Sequence, residues 1–121
     1  MPLRVSGPFH TPLMAPAGEA LKARFETEVF GAMDIPVLFN CLGCEMGEGD
    51  TIPALLVRQV QDSVYMEDII RRLAELGVDT VIEIGPGRAL SGFVAKTAPD
   101  IRCYAVEDCA SLEAAIAAVK A

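Results

Sequence analysis

The sequence predicts an α/β layered fold with a parallel sheet. Short runs rich in β-branched residues alternate with longer amphipathic segments, in the order strand, helix, strand, helix, helix, strand, helix, strand, helix. Glycine and proline mark several of the joins between these segments. Regular alternation of this kind is typical of parallel strands that are connected by helical crossovers. The 121 residues suit one such domain or a piece of one.

The chain begins with a predicted strand and a predicted helix. Residues 2–6 form a short apolar run that favours a strand. Apolar side chains recur every fourth residue over 13–30, which predicts an amphipathic helix. Thr11 fits the N-cap of that helix and Pro12 fits its first turn. Because a loop with potential chemistry follows the first strand at once, we expect the chain to be a piece of a longer protein.

The middle of the chain predicts one more strand and two more helices. Residues 37–40 are a short apolar run that favours a buried strand. Residues 41–50 hold three glycines and three acids, a composition typical of a loop. Helices are predicted over 51–60 and 64–76, where apolar side chains recur at helical spacing. Gly77 is placed to end the second of these helices.

The last part of the chain predicts two strands and two helices. Residues 80–84 are rich in β-branched side chains and favour a strand, and residues 101–106 predict another. A helix is predicted between them over 88–97, and a final helix from about residue 109. Gly85-Pro86-Gly87 forms the turn by which the chain leaves the first of these strands.

Charge and composition exclude some classes of function. The formal net charge is −7, which argues against a broad nucleic-acid interface because such an interface needs clustered Lys and Arg. Charged residues interrupt every apolar stretch, so no run reaches the length of a membrane span. Four cysteines in a chain without a recognisable signal peptide predict reduced thiols and a cytoplasmic protein.

The chain is apolar for a small solvated domain. Hydrophobic residues make up 52% of it, and its mean hydropathy is +0.38. One explanation is that part of the apolar surface is covered, either by a partner or by chain that is missing.

The only histidine, His10, lies in a loop between a predicted strand and a predicted helix. Histidine is the side chain best suited to acid–base chemistry near neutral pH, although a lone loop histidine is more commonly exposed or capping. Asn40 and Gly85-Pro86-Gly87 also follow predicted strands. Because sites in parallel sheets gather at the carboxyl ends of strands, we expect these three features to face one crevice.

Three other patterns leave structural and functional interpretations open. Cys41-Leu42-Gly43-Cys44 has the spacing of half a zinc site or of a redox pair, but unpaired loop thiols are the simpler interpretation. Gly85-Pro86-Gly87 could present N–H groups to an anion or only turn the chain into a helix. Glu83 on a buried strand needs a partner, either an arginine or a helix end. A Gly-x-Ser-x-Gly nucleophile elbow is absent from the sequence.

Four motifs in order resemble the malonyl-CoA:acyl carrier protein transacylases. They are Val5 to Met14 (VSGPFHTPLM), Ile35-Pro36-Val37, Leu56 to Gln59 (LVRQ) and Glu83 to Gly87 (EIGPG). The first motif is specific, and coincidence does not readily explain several motifs in the family's order. The resemblance runs over nearly all of this chain but covers only the last third to two fifths of the family's length.

The resemblance implies a place within a larger enzyme. Residues 1–121 would be the C-terminal fragment of the catalytic domain, within an α/β-hydrolase-like acyltransferase large domain. The nucleophilic serine of a Gly-His-Ser-x-Gly-type elbow would lie upstream of Met1. The arginine that holds the malonyl carboxylate and a small ferredoxin-like insert would also lie upstream.

The resemblance also implies roles for individual residues. His10 matches the catalytic histidine of the family, which serves as general base for the missing serine. Gln59 matches the position whose carbonyl group orients that histidine. Asn40, Gly85 and Gly87 match positions near the substrate pocket, without an assigned role.

The implied function is that of an S-malonyltransferase of fatty acid biosynthesis. The family moves malonyl from CoA to the phosphopantetheine thiol of acyl carrier protein, with no metal and no cofactor beyond these two substrates. The expected partners are acyl carrier protein, malonyl-CoA and the missing N-terminal part of the enzyme, without nucleic acid or membrane. The chain alone is expected to be inactive. The alternative is a non-catalytic half-domain that binds another acyltransferase or a carrier protein, and a third possibility is a Cys-x-x-Cys redox or zinc protein.

Overall fold

Helices outnumber strands in the computed structural model, which describes residues 7–120; the strand expected over 2–6 lies outside the described residues. In chain order the described elements are a 3₁₀ turn at Pro12–Met14, α1 (Ala15–Phe25), β1 (Leu38–Phe39), β2 (Cys44–Glu45), α2 (Ile52–Gln61), α3 (Met66–Glu75), β3 (Thr80–Ile84), α4 (Ala89–Thr97), β4 (Arg102–Val106) and α5 (Cys109–Lys120). The predicted α/β class is confirmed. The described residues fall into two units, divided between Ile69 and Ile70.

Strands β3 and β4 form the parallel pair that the alternating pattern predicts. Thr80 lies opposite Arg102 and Ile84 opposite Val106, and α4 is the crossover between the two strands. Parallel strands need such a crossover because a tight turn cannot bring the chain back to the same end of the sheet.

Strands β1 and β2 differ from the predicted parallel arrangement, since they pair antiparallel. The segment 41–50 was expected to be a loop, but Cys44–Glu45 lies beside β1. The Phe39 carbonyl accepts hydrogen bonds from the N–H groups of Leu42 and Gly43, at 2.9 and 2.8 Å. A turn this short joins only antiparallel strands. Gly43 has a φ of +76°, a conformation that glycine adopts without strain.

Helix α1 ends at Phe25, five residues before the predicted end at residue 30. The Thr27 hydroxyl donates to the carbonyl oxygen of Arg24 at 3.1 Å and so replaces a helical N–H donor. The Phe30 ring then meets the Phe25 ring edge-on with centroids 5.0 Å apart. Local side-chain contacts thus end the helix, although the apolar periodicity continues to Val29.

The first unit is centred on a small core around β1 and α2. Phe39, Cys41 and Leu55 are buried there, and Leu55 is only 1% exposed. Burying a leucine of this kind contributes roughly 2 kcal/mol. Helix α1 packs against α2 through Gly18, which is buried.

The second unit is built on the β3–β4 pair. Helices α4 and α5 both pack against β4, and Val94, Ile101 and Ala115 are buried. Gly77 ends α3 as predicted: its φ is +78°, and the Val78 N–H donates to the Leu73 carbonyl at 3.0 Å, the pairing of a Schellman motif. Within residues 7–120, none of the helices combines the length and apolar character needed to cross a membrane.

Substitution by alanine at two glycines of the first unit should change the stability of the fold in opposite directions. A Cβ at Gly18 would lie 3.7 Å from Val57, an ordinary contact, so Gly18→Ala should stabilise the fold by about 0.5–1 kcal/mol through higher helix propensity. A Cβ at Gly43 would lie 2.9 Å from the Cβ of Asp68, and its φ is positive. Gly43→Ala should therefore cost about 1–3 kcal/mol. Urea denaturation of both variants measures the free energy of unfolding, and equal effects would contradict the packing described.

Candidate functional site

His10 lies on an exposed loop that is held in an unusual backbone conformation. Its φ is +59°, in the left-handed region, and among the described residues it is the one non-glycine residue with a positive φ. The Thr11 hydroxyl donates to the Pro8 carbonyl at 2.7 Å, which closes the turn around His10. The Met14 N–H then donates to the Thr11 carbonyl at 3.0 Å. Strained residues of this kind cluster at functional sites.

The imidazole of His10 is oriented by the main chain of α2. Its Nδ1 lies 3.0 Å from the main-chain carbonyl oxygen of Gln59. A carbonyl can only accept, so the hydrogen bond requires a proton on Nδ1. In the neutral imidazole this leaves Nε2 without a proton, as a hydrogen-bond acceptor and a base.

Gln59 can serve in this way because of its position near the end of α2. The last four carbonyl groups of a helix have no intrahelical partner, and Gln59 is third from the end of Ile52–Gln61. Gln59 is half-buried, and its main-chain carbonyl offers an acceptor that a mid-helix residue would not. The sequence motif pointed to Gln59, but only the fold shows that the main chain rather than the side-chain amide makes the contact.

Thr11 lies at the N-cap of the 3₁₀ turn Pro12–Met14 that leads into α1, and Pro12 is in the first turn, as the sequence predicts. Its hydroxyl, however, does not make the cap. The structure shows no side-chain cap at this position, and the hydroxyl bonds backward to Pro8 instead. The signal was available, since Ser and Thr hydroxyls commonly close turns with nearby backbone groups.

Asn40 lies in the same unit, directly after β1, and is half-buried. Its main-chain carbonyl accepts a hydrogen bond from the Tyr65 N–H at 2.9 Å. This contact joins β1 to the start of α3. A role for Asn40 near a substrate pocket stays a prediction.

In the second unit, Gly85-Pro86-Gly87 forms the turn after β3. Gly85 and Gly87 have φ values of +131° and +93°, which favour glycine. The Gly85 N–H donates to the Val106 carbonyl at 3.0 Å, and the Gly87 N–H donates to the Glu107 carboxylate at 3.2 Å. Both N–H groups are thus used inside the protein, which favours the turn over an anion cradle. Any substrate-binding role of the two glycines stays a prediction.

Glu83 caps helix α4, one of the two possibilities that the sequence left open. Its carboxylate accepts the N–H groups of Leu90 at 3.0 Å and Ser91 at 2.8 Å, and also the Ser91 hydroxyl at 2.5 Å. The Ser91 hydroxyl is the main cause that lowers the pKa of Glu83, and the two N–H groups add to it. The Cys103 thiol lies 3.2 Å from the same hydroxyl and extends the network into β4.

The Cys-x-x-Cys segment forms the turn of the β1–β2 hairpin. Cys41 is buried, and its thiol points to the Leu55 carbonyl at 3.6 Å, whereas Cys44 is exposed. Burial raises the pKa of the Cys41 thiol, which disfavours the thiolate that redox chemistry needs. In the part of the chain that the structure describes, no three His, Cys, Asp or Glu side chains are grouped to hold a metal.

Comparison with known proteins gives one consistent result. No family model matches the sequence. The chain is 41% identical over 120 residues to the malonyl CoA-acyl carrier protein transacylase of Bacillus subtilis (strain 168), a match that covers 99% of this chain and 38% of that protein.

Solved structures of proteins with the same name are also similar to this chain. The malonyl CoA-acyl carrier protein transacylase of Clostridium perfringens superposes with a TM-score of 0.91 at 38% identity, over 99% of this chain and 38% of that one. A complex of a type II PKS acyl-carrier protein with its malonyl-transacylase contains a chain that superposes with a TM-score of 0.83 at 35% identity, over 98% and 38%. The chain thus spans about two fifths of the length of the relatives it matches.

Without the Thr11 hydroxyl, the imidazole ring of His10 should no longer be held in one orientation. In Thr11→Val the turn loses its bond to Pro8, so we expect His10 to leave the left-handed region and the proton to redistribute from Nδ1 to Nε2. Imidazole ¹⁵N chemical shifts, measured well above neutral pH, report this tautomer directly. Thr11→Ser should restore the native spectrum. Gln59→Ala should leave it unchanged, because the acceptor is a main-chain atom; a tautomer change in that control would contradict the contact described.

Glu83 should make the second unit sensitive to acid. Because its pKa is lower in the folded chain, Glu83 stabilises the fold fully above its ordinary pKa of about 4.3, and this stabilisation is lost as the pH falls through the lowered value. Glu83→Gln should be less stable at neutral pH and should lose less stability on acidification. Ser91→Ala, which removes the main donor, should give an intermediate slope. The test is the free energy of unfolding, measured by urea denaturation from neutral pH down through the lowered pKa of Glu83. Parallel curves of this free energy against pH for the native chain and Glu83→Gln would refute the prediction.

Proposed function

Because this chain is homologous over nearly its whole length to about two fifths of the malonyl CoA-acyl carrier protein transacylases, we propose that it supplies the histidine of a malonyl transacylase active site. The observation that carries the proposal is the contact between His10 Nδ1 and the Gln59 carbonyl. It gives the imidazole the tautomer that a general base needs. In this proposal, the serine nucleophile lies in the part of the relatives' length that this chain does not cover.

In the first half of the proposed reaction, malonyl moves from CoA to serine. Nε2 of His10 takes the proton of the serine hydroxyl while the serine oxygen attacks the thioester carbonyl. The tetrahedral intermediate collapses, its carbon–sulfur bond breaks, and the proton on Nε2 goes to the departing CoA thiolate. The products are a malonyl–serine ester and free CoA, and the imidazole is again neutral.

In the second half, malonyl moves from serine to the carrier protein. Nε2 takes the proton from the phosphopantetheine thiol, and the sulfur attacks the malonyl–serine ester. When the ester bond breaks, the imidazolium returns the proton to the serine oxygen. The cycle is ping-pong, and the same nitrogen acts as base and acid in each half.

The orientation of the ring is what the protein adds to the chemistry of an ordinary imidazole. A free imidazole rotates and exchanges tautomers, whereas the bond to Gln59 keeps Nε2 as the nitrogen that takes up and releases the proton throughout the cycle. A positioned acid–base group of this kind contributes about 10²–10⁴-fold to rate. The bond to a carbonyl also persists when Nε2 gains its proton, since Nδ1 donates in both states.

The proposed setting follows the relatives. The reaction would belong to fatty acid biosynthesis in the cytoplasm, with malonyl-CoA and an acyl carrier protein as substrates and no metal or further cofactor. The solved complex of an acyl-carrier protein with its malonyl-transacylase supports a carrier protein as partner. The chain would form the C-terminal part of the large catalytic domain, with Asn40, Gly85 and Gly87 near the substrate pocket.

A second candidate is a non-catalytic half-domain that binds another acyltransferase or a carrier protein. The exposed apolar residues of the second unit favour it, since they indicate a binding surface whether or not catalysis occurs. A non-catalytic half-domain would still bind its partner, but malonyl transfer would not depend on His10. This difference distinguishes the second candidate from the first.

Malonyl transfer should require both this chain and the polypeptide that it lacks. The chain alone should not move labelled malonyl from malonyl-CoA to phosphopantetheinylated carrier protein. Transfer should appear when it is co-expressed with the part of the Bacillus subtilis relative that it does not match. His10→Ala should reduce this transfer by about 10²–10⁴-fold, whereas Cys44→Ser, on an exposed thiol, should leave it unchanged. Transfer by the chain alone, abolished by His10→Ala, would show that another nucleophile is present and the proposal is wrong.

A further inference from the structure

We infer that the ion pair between Arg58 and Asp62 positions the His10 imidazole, because it holds closed the helical turn that carries the Gln59 carbonyl. The pair acts on His10 through the main chain of α2, so Arg58 and Asp62 are positioning residues rather than catalytic ones. The value of this positioning for malonyl transfer rests on the proposed function, whereas the geometry of the turn does not.

Two hydrogen bonds between Arg58 and Asp62 close the last turn of α2. The Arg58 Nε donates to the Asp62 Oδ2 at 3.0 Å, and the Asp62 N–H donates to the Arg58 carbonyl at 2.8 Å. The second bond follows the helical pattern from residue i to residue i−4, and the first spans the same turn through the side chains. Hydrogen bonding to Asp62 also raises the pKa of the Arg58 guanidinium. Gln59 is the first residue inside the turn that this pair closes.

The Gln59 carbonyl is available to His10 because α2 stops at Asp62. Asp62 has φ −89° and ψ +161°, whereas a residue that continued the helix would have a ψ of about −42°. In a longer helix the Ser63 N–H would donate to the Gln59 carbonyl. The extended backbone of Asp62 carries that N–H away from the helix, and the His10 Nδ1 lies 3.0 Å from the carbonyl instead.

An ion pair with the same spacing at the end of α1 encloses carbonyls that are used locally. Arg24 and Glu28 form this pair. The Thr27 hydroxyl donates to the Arg24 carbonyl at 3.1 Å, and the Glu28 N–H donates to the Phe25 carbonyl at 3.2 Å. The α2 pair differs because a carbonyl inside its turn accepts from a side chain 49 positions away. The α1 pair is therefore a matched control for the effect of an exposed ion pair on a helix end.

The last turn of a helix opens more readily than its middle, since its carbonyls have no later N–H to hold them. When the turn from Arg58 to Asp62 opens, the Gln59 peptide group is free to rotate, and its carbonyl turns from His10 to water. The ion pair must break before the turn opens in this way. Because its side chains are 45% and 37% exposed, the pair contributes a modest factor. Its loss should thus shift a population while the fold stays intact.

The first experiment measures the tautomer of His10 in the chain itself. In Asp62→Ala, the ratio of Nδ1-protonated to Nε2-protonated imidazole should fall by about two- to fivefold, as read from imidazole ¹⁵N chemical shifts well above neutral pH. Arg58→Ala should lower the ratio by a similar factor, since it removes the same bond. Arg24→Ala, which removes the matched pair of α1, should leave the ratio unchanged. Far-UV circular dichroism checks that all three variants keep the fold.

Exchange of the two charges tests whether the pair itself is responsible. Arg58→Asp combined with Asp62→Arg rebuilds an ion pair across the same turn, with the acid four residues before the base. The exchanged chain should recover most of the native tautomer ratio, whereas Asp62→Arg alone should not. A native ratio in both Asp62→Ala and Arg58→Ala would overturn the inference. An equal fall in Arg24→Ala, or no recovery in the exchanged chain, would overturn it too.

Malonyl transfer by the co-expressed enzyme separates this inference from the proposed function. Asp62→Ala should lower kcat by the same two- to fivefold factor and leave the KM for malonyl-CoA unchanged, because ring orientation matters once the substrate is bound. A shifted tautomer ratio in a system where even the native chain gives no transfer would support the positioning and count against the function. Transfer with native kcat in Asp62→Ala, or a change in KM alone, would support the function and overturn the positioning.

Discussion

The hydrogen bond between His10 and the main chain of Gln59 is the contact on which the candidate site depends. It joins residues 49 positions apart, so it exists only once α2 is formed and the loop before α1 is placed beside its end. Gly18 lets α1 approach Val57 of α2, and the Thr11–Pro8 bond fixes the loop. Each of these local features is modest, and together they hold an imidazole on an exposed loop in one tautomer.

In the second unit, by contrast, the polar groups of the turn after β3 form hydrogen bonds that stabilise the unit itself. Glu83 takes the N–H groups at the start of α4, and Glu107 takes that of Gly87. A helix start after a glycine-rich turn can bind an anion, but here two carboxylates already occupy the donors. The negative charge of the chain is thus partly structural, and the surface that this unit leaves exposed at Ile82 and Ile84 is apolar rather than polar.

Much of the fold could be predicted from periodicity, and the corrections share one physical origin. The helices at α2 to α5 and the strands β3 and β4 follow from the spacing of apolar side chains, which reports burial. The predicted end of α1 was wrong because the Thr27 hydroxyl and the Phe30 ring make local contacts with Arg24 and Phe25, and such contacts do not show in the periodicity. Strand β1 lies within the strand predicted over 37–40, but β2 and its antiparallel pairing were missed, because Cys44–Glu45 is two residues long and lies in a segment with the composition of a loop. For the site, the motif identified His10 and Gln59, but an orienting main-chain carbonyl leaves no side-chain signal at all.

The geometry of the base and the exposed apolar surface are set by different parts of the chain. Residues 8 to 59 fix the ring of His10 by bonds within the first unit, and none of those bonds requires another polypeptide. The uncovered surface of the second unit, by contrast, has no internal use for Ile82 and Ile84. The orientation of the His10 ring thus comes from contacts within the first unit, while a chain that is 52% hydrophobic leaves Ile82 and Ile84 exposed in the second.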